Sequence, residues 1–295
     1  MTVLHPPDAA RGRSVLKLGD TVCGFVVSAE GGDISAPVIR ESAGTFFQKR
    51  LGPPVIEPIV LSFDLSLNRV VYDWIVEFWK GNVAARSGSV ISVDLNGQAK
   101  SELAFEHATI AATTLPAMDA ASKTPCRLTV RLNAEKTTRR PASGPVTGPI
   151  KPSKPWLPSN FRLEIEGLEK TRFHKIEPMT AVAAEGAIDF GDLRVLFSAD
   201  TAQDWSHWHQ SFVVDGIADE KSGALTFFTP DLKTELGRVT LRGLGIHRLV
   251  LEPVPDRAEQ IPRLAAELYC ERMELAVHGS REPSAAAVGA AGRSA

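Results

Sequence analysis

The sequence predicts a mostly β (α+β) protein: two tandem antiparallel β-sandwich or barrel domains, each with one inserted α-helix. Three observations carry this reading. Short runs alternate apolar and polar residues along most of the chain, the pattern of half-buried strands. Each half holds one stretch with a broad apolar stripe at helical spacing. Matching features of the two halves recur at a nearly constant distance, as from Trp74 to Trp208, 134 positions, and from Gly81 to Gly216, 135 positions.

Composition sets the outer bounds. The chain has 295 residues, enough for about two average domains. Hydrophobic residues make up 43% and charged residues 23%, so each half can build its own core. The formal net charge of −2 argues against sequence-directed nucleic-acid recognition or an anionic membrane surface as partner. No stretch approaches the ~20 apolar residues that span a bilayer, and membrane insertion is not expected. The first residues, MTVLHPPDAARGR, lack the apolar run of a signal peptide, so synthesis is expected in the cytoplasm. Cys23, Cys126 and Cys270 are odd in number and far apart. They fit small packing residues in a reducing compartment better than a disulfide framework or a zinc site.

The elements follow in order. Residues 1–19 are weakly patterned and read as a flexible arm. The first domain is expected over 20–138, a Pro-rich linker over 139–155, the second domain over 156–278, and a disordered tail over 279–295. Phe25 to Gly31 (FVVSAEG) alternates and turns at glycine, and Phe161 to Gly167 (FRLEIEG) does the same 136 positions later (161 − 25). Ile59 to Phe63 and Leu193 to Phe197 are the next apolar strands. In the first helix Val70, Val71, Trp74, Ile75, Phe78 and Trp79 form the stripe, with Asn68 as N-cap and Gly81 as terminator. In the second, Trp205, Trp208 and Phe212 form it, with Thr201 as N-cap, Asp204 three residues on, and Gly216 at the end.

Strands resume at Val90 to Leu95 and Ala224 to Phe228, each running into a turn, Asn96-Gly97 and Pro230-Asp231. The halves end in Cys126 to Leu132 and Leu264 to Leu275. The last segment has helical propensity, but its counterpart alternates cleanly, so it is read as strand. One helix cannot cover both faces of a sheet of five to seven strands, so each sheet is expected to fold on itself.

This order of elements resembles the tail-tube proteins of contractile phages and the tube proteins of contractile injection systems. The resemblance rests on FRLEIEGLEKTRF (Phe161 to Phe173), which is similar to that family's opening hairpin. It rests also on QKRLGPP (Gln48 to Pro54), similar to a basic segment before the long strand, and on the Trp-bearing helices around Asp73-Trp74 and Trp208. It spans nearly the whole chain apart from arm, linker and tail. Such proteins usually carry one such domain and form hexameric rings that stack into a tube. Two copies per chain, and no equivalent of QKRLGPP before Gly191, imply a specialised ring such as an initiator, adaptor or terminator. The expected partners are other copies of the chain, in a ring that is most simply a trimer with pseudo-sixfold symmetry, and other tube, sheath or baseplate proteins. The expected location is the assembled phage-tail-like particle.

No catalytic, cofactor-binding or metal-binding residue is assigned, and no enzyme activity is expected. His207 and His209 flank Trp208, but residues two apart on a helix do not share a face as zinc-gripping pairs do. Glu164 and Glu166 fall on one side of a strand and read as solvated or lumen-facing. Arg139, Arg140, Lys151 and Lys154 cluster near the linker as solvated charge. The competing readings are a non-catalytic ligand- or carbohydrate-binding tandem β-sandwich module and a metal hydrolase using His207 and His209.

Overall fold

A computed structural model describes residues 13–64, 68–146, 156–252 and 262–277. The core of the expected linker and the expected tail lie outside these residues.

The first half opens with β1 (Arg13–Leu18), β2 (Thr21–Val26) and β3 (Ser28–Glu30). A ribbon follows, made of β4 (Ile34–Ser35), β5 (Val38–Ala43), β6 (Phe46–Leu51) and β7 (Val55–Ile56). Next come β8 (Ile59–Asp64), α1 (Arg69–Trp79), β9 (Arg86–Val93), β10 (Ala99–Leu115), β11 (Met118–Asp119), β12 (Arg127–Asn133) and β13 (Lys136–Pro141). The second half contains β14 (Phe161–Ile165), β15 (Phe173–Ile176), β16 (Met179–Ala184), β17 (Ala187–Phe190) and β18 (Leu193–Ser198). It closes with α2 (Gln203–His209), β19 (Lys221–Phe228), β20 (Glu235–Leu251) and β21 (Arg263–Val277).

The fold is mostly β and antiparallel throughout, with two short helices, as the alternation implies. The first sheet runs β2-β1-β9-β10-β12-β8-β3, and the second runs β15-β18-β21-β20-β19-β14 with β11 added beyond β15. β2 and β3 stand at opposite ends of the first sheet, yet only Val27 separates them in sequence. The sheet therefore curls until its ends meet, and the Val27 N–H donates to the Ser62 carbonyl at 2.7 Å. Cross-strand alternation puts Leu16, Ile59, Leu61, Phe105 and Leu132 inside.

The helices form as their sequences dictate, with one exception. The Asn68 carboxamide oxygen accepts from the Val70 N–H at 2.9 Å, capping α1, and Gly81 at φ +86° takes the left-handed turn after it. Trp74 is buried with its indole N–H donating to the Ala84 carbonyl at 2.9 Å, and the Arg86 guanidinium lies 5.6 Å from its ring. Trp208 repeats this, donating to the Asp219 carbonyl at 2.9 Å beneath the Lys221 ammonium at 5.4 Å. Thr201, however, does not cap α2. It lies in a 3-10 turn, Ala199–Thr201, and its hydroxyl donates back to the Ser198 carbonyl. α2 starts after Ala202, which has no side-chain oxygen to offer.

The opening of each half also differs from the sequence expectation. The supposed arm contributes β1, whose Val15, Leu16 and Leu18 are buried. Leu18 stands opposite Gly88, and Ile165 stands opposite Gly223. The counterpart of β14 is thus β1, 147 positions away (165 − 18), and Phe25 to Gly31 is not the match of Phe161 to Gly167. Ala29 opposite Leu61 and Ile176 opposite Val195 give the same 147 for the returning strand (176 − 29). Alternation identifies a half-buried strand but does not say which one. The paired glycines have a common cause: a Cβ at Gly88 would lie 2.2 Å from the Lys17 carbonyl oxygen, and one at Gly223 2.8 Å from that of Glu164.

The long strands match even in their irregularities. The register of β10 on β12 shifts between Ile110 and Ala112, and that of β20 on β21 between Ile246 and Arg248, 136 positions on (246 − 110). His107 at φ +48° and Gly243 at φ +61° sit at matching kinks (243 − 107 = 136).

Two predictions follow from this packing. Trp74→Ala and Trp208→Ala should each destabilise the protein by about 3–5 kcal/mol in chemical denaturation, because each opens a large cavity. A change under about 1 kcal/mol at either site would contradict the anchoring role. His174 is half-buried with Nε2 2.7 Å from the Ser198 hydroxyl, and its pKa is lowered by burial and by Arg263 and Arg172. Below about pH 6.5 the unfolded chain takes up a proton that the folded chain refuses, so stability should fall as pH drops. His174→Gln should flatten that fall between about pH 7 and pH 5.5, measured as the denaturation midpoint.

Candidate functional site

Among the described residues no group of three or more His, Cys, Asp or Glu converges as a metal site. His207 is exposed and His209 half-buried, and the helix does not bring them together. Glu164 and Glu166 are exposed on one side of the strand and its turn. A small cleft between the curled ends of the first sheet is bordered by Ser14, Glu30, Ser92, Ser101 and Arg139, with Arg139 bridging to Asp33 at 2.9 Å. No helix of the described residues is long and apolar enough to cross a membrane.

The structure instead concentrates its features at the junction between the halves. β16, from the second half, adds to the edge of β10, from the first, pairing Ala112 with Val182 through Leu115 with Met179. β11, from the first half, adds in turn to β15, pairing Met118 with Ile176. Phe190 on β17 meets Trp79 on α1 edge-to-face, with ring centroids 5.8 Å apart. The Trp79 indole donates to the Thr113 hydroxyl at 2.8 Å, and the Tyr72 hydroxyl donates to the Leu275 carbonyl at 3.0 Å. Backbone ladders, a buried aromatic pair and a satisfied indole are the elements of a tight interface. None was legible in the sequence, because β16 and β17 are short and carry only Met179, Val182, Ile188 and Phe190 as large apolar residues.

A second feature is the ribbon of β4 to β7. Among the described residues β5 and β6 pair only with each other, and every side chain of β6 is exposed. Phe46 is 79% exposed, Phe47 66% and Leu51 71%. Adjacent aromatics on a strand point to opposite faces, so both faces of the ribbon carry apolar surface. A lone two-stranded ribbon is marginally stable in water, and exposed apolar strands mark contact surfaces. The QKRLGPP segment noted in the sequence supplies part of β6 and the turn after it, with Arg50 bridging to Glu41 at 2.8 Å across the ribbon. A further exposed apolar group, Val213, Val214 and Ile217, follows α2.

The cysteines remain thiols with no redox partner. Burial pushes Cys23 up to about 11 and Cys126 up to about 12, and Cys270 upward as well. The native protein should therefore react slowly with iodoacetamide at pH 8, with full labelling only after denaturation, measured by intact mass.

No family model matches the chain, and no curated protein matches it. Among solved structures, a chain of the anti-feeding prophage cap, the tube-terminating cap, is 24% identical at a TM-score of 0.40, covering 48% of this chain and 95% of that one. A chain of the sheath–tube complex of PVC, an extracellular contractile injection system, in the extended state is 19% identical at 0.40, with the same coverage. One of the PVC sheath/tube terminator is 20% identical at 0.38, covering 47% of this chain and 99% of that one.

Proposed function

We propose that this chain is a structural, non-enzymatic subunit of a phage-tail-like or contractile injection system tube, and within it a ring component such as an initiator, adaptor or terminator. The observation that carries the reading is the junction: two sheets that share a six-strand order, with β16 of the second half adding to β10 of the first. The reading takes the chain as two like units, with the first extended back to Arg13. A chain made of two like units joined in this way already contains one contact of a closed ring, and repetition of it gives head-to-tail closure. Three chains would supply six units, so the ring is a trimer with pseudo-sixfold symmetry.

The halves differ where a specialised ring needs them to. The hairpin of the second half turns at Glu185-Gly186, whereas the ribbon of the first continues through β5 and β6. A trimer would present three such ribbons on a body of six units, and their exposed Phe46 and Phe47 suit contact with another tube, sheath or baseplate protein. Light scattering of the purified chain should give three times the 31.8 kDa chain mass, and negative-stain images should show rings. A compact monomer, both alone and with a tube partner, would favour the ligand-binding module and overturn the ring.

A further inference from the structure

Each side of the junction inside the chain has a counterpart that no described strand fills. The strand pairings align the halves residue by residue. Ala112 to Leu115, the stretch of β10 that receives β16, correspond to Arg248 to Leu251 on β20, 136 positions on (248 − 112). Met179 to Val182, the stretch that is given, correspond to Gly32 to Ser35, 147 positions back (179 − 32). The base of each hairpin carries the same bond: the Glu57 N–H donates to the Asp33 carbonyl, and the Gly191 N–H to the Thr180 carbonyl. Ile34 pairs with Ile56 as Ala181 pairs with Phe190.

Both counterparts are open among the described residues, except that the Gly32 carbonyl accepts from the Thr137 hydroxyl at 2.8 Å. Arg248 to Leu251 pair with β21 on one edge, and no described strand lies on the other. Ile34 and Ser35 pair with β7 on one edge only. The apolar partners are exposed in the same places. In the π-helical turn after α2 (Gln210–Val214), where the offset passes from 134 to 135, Val213 and Val214 stand where Trp79 stands and are 46% and 63% exposed, whereas Trp79 under Phe190 is 6% exposed. Leu251, the counterpart of buried Leu115, is exposed, as is Ile34. Unpaired edges flanked by bare apolar side chains are templates for strand addition.

We infer that the occupant of the Arg248–Leu251 edge is the Gly32–Ser35 strand of a second copy of this chain, joined antiparallel with Ser35 opposite Arg248 and Ile34 opposite Leu249, while Ile56 of that copy packs against Val213. The inference rests on the ring reading above. It names a second copy because the chain already accepts the counterpart of this strand on the counterpart of this edge. The contact is heterologous: the donor of one chain meets the acceptor of the next, so each chain keeps one of each until the ring closes.

The test is a disulfide trap in the full chain. Ser35→Cys with Arg248→Cys places one thiol on each side of the inferred contact, at positions matching Val182 and Ala112. Ala112→Cys with Val182→Cys is the internal control, because those Cα atoms are already strand partners. The native thiols are held protonated by burial and interfere little. Oxidation of the first pair should give covalent dimers and trimers on non-reducing gels, and the control pair should link within the monomer. Ile34→Glu, at an exposed position, should leave the thermal midpoint unchanged and raise the concentration for half-association about tenfold or more. Rings that form without the Ser35–Arg248 link, while the control links, would overturn this contact and leave the ring reading standing. A chain that stays monomeric would overturn both.

Discussion

The 17-residue strand β10 bears the weight of the architecture. Strands in globular proteins are mostly five or six residues long, so β10 has length for more than one pair of neighbours. It uses that length by changing partners at the His107 kink. Before the kink β9 and β13 flank it, and after it β12 and β16 do. The kink costs a positive φ on a non-glycine residue, a conformation that must be held by its surroundings. Ser87 helps to hold it, its hydroxyl accepting from the His107 N–H at 3.0 Å. Remove the change of partner and β16 of the second half loses the edge to which it adds.

The tryptophans secure what β10 arranges. Trp74 and Trp208 fasten each helix to its own sheet, with the N–H satisfied by a backbone carbonyl and the ring face under a cation. Such a contact adds about 0.5–2 kcal/mol to what burial supplies. Trp79 is different in kind. It sits one residue after the helix anchor Phe78 and is covered by Phe190 from the other half. α1 therefore closes two packing surfaces at once, one on its own sheet and one at the junction, where Tyr72 also binds the end of β21.

Much of this was legible in the sequence. The two helices, their glycine stops and the Asn68 cap follow from spacing alone. So does the strand character of Leu264 to Leu275, which propensity by itself would have assigned to helix. Most of the misread parts share a physical cause, that they are fixed by long-range pairing, whereas Thr201 is set locally. RSVLKL looks unremarkable until β9 and β2 lie on either side of it. Thr201 has the chemistry of a cap, but a preceding turn takes its hydroxyl. The exposure of Phe46 and Phe47 cannot be read from a local pattern either, since two aromatics in a strand ordinarily signal a core.

The lacing of the halves also sets an order of events at the ribosome. The chain emerges from its N-terminus, and β10 is complete when Leu115 has left the exit. Its remaining edge is filled only by Met179 to Val182, 64 residues later (179 − 115). At ~5–20 residues per second that interval is roughly 3–13 s, far longer than the time a hairpin takes to form. For those seconds the nascent first unit holds an open edge and an uncovered Trp79, the same surface that Phe190 later closes. Adjacent nascent chains on one message would carry the same bare surface at close quarters. The interval exposes them to early mispairing, and slower translation beyond Leu115 would lengthen it.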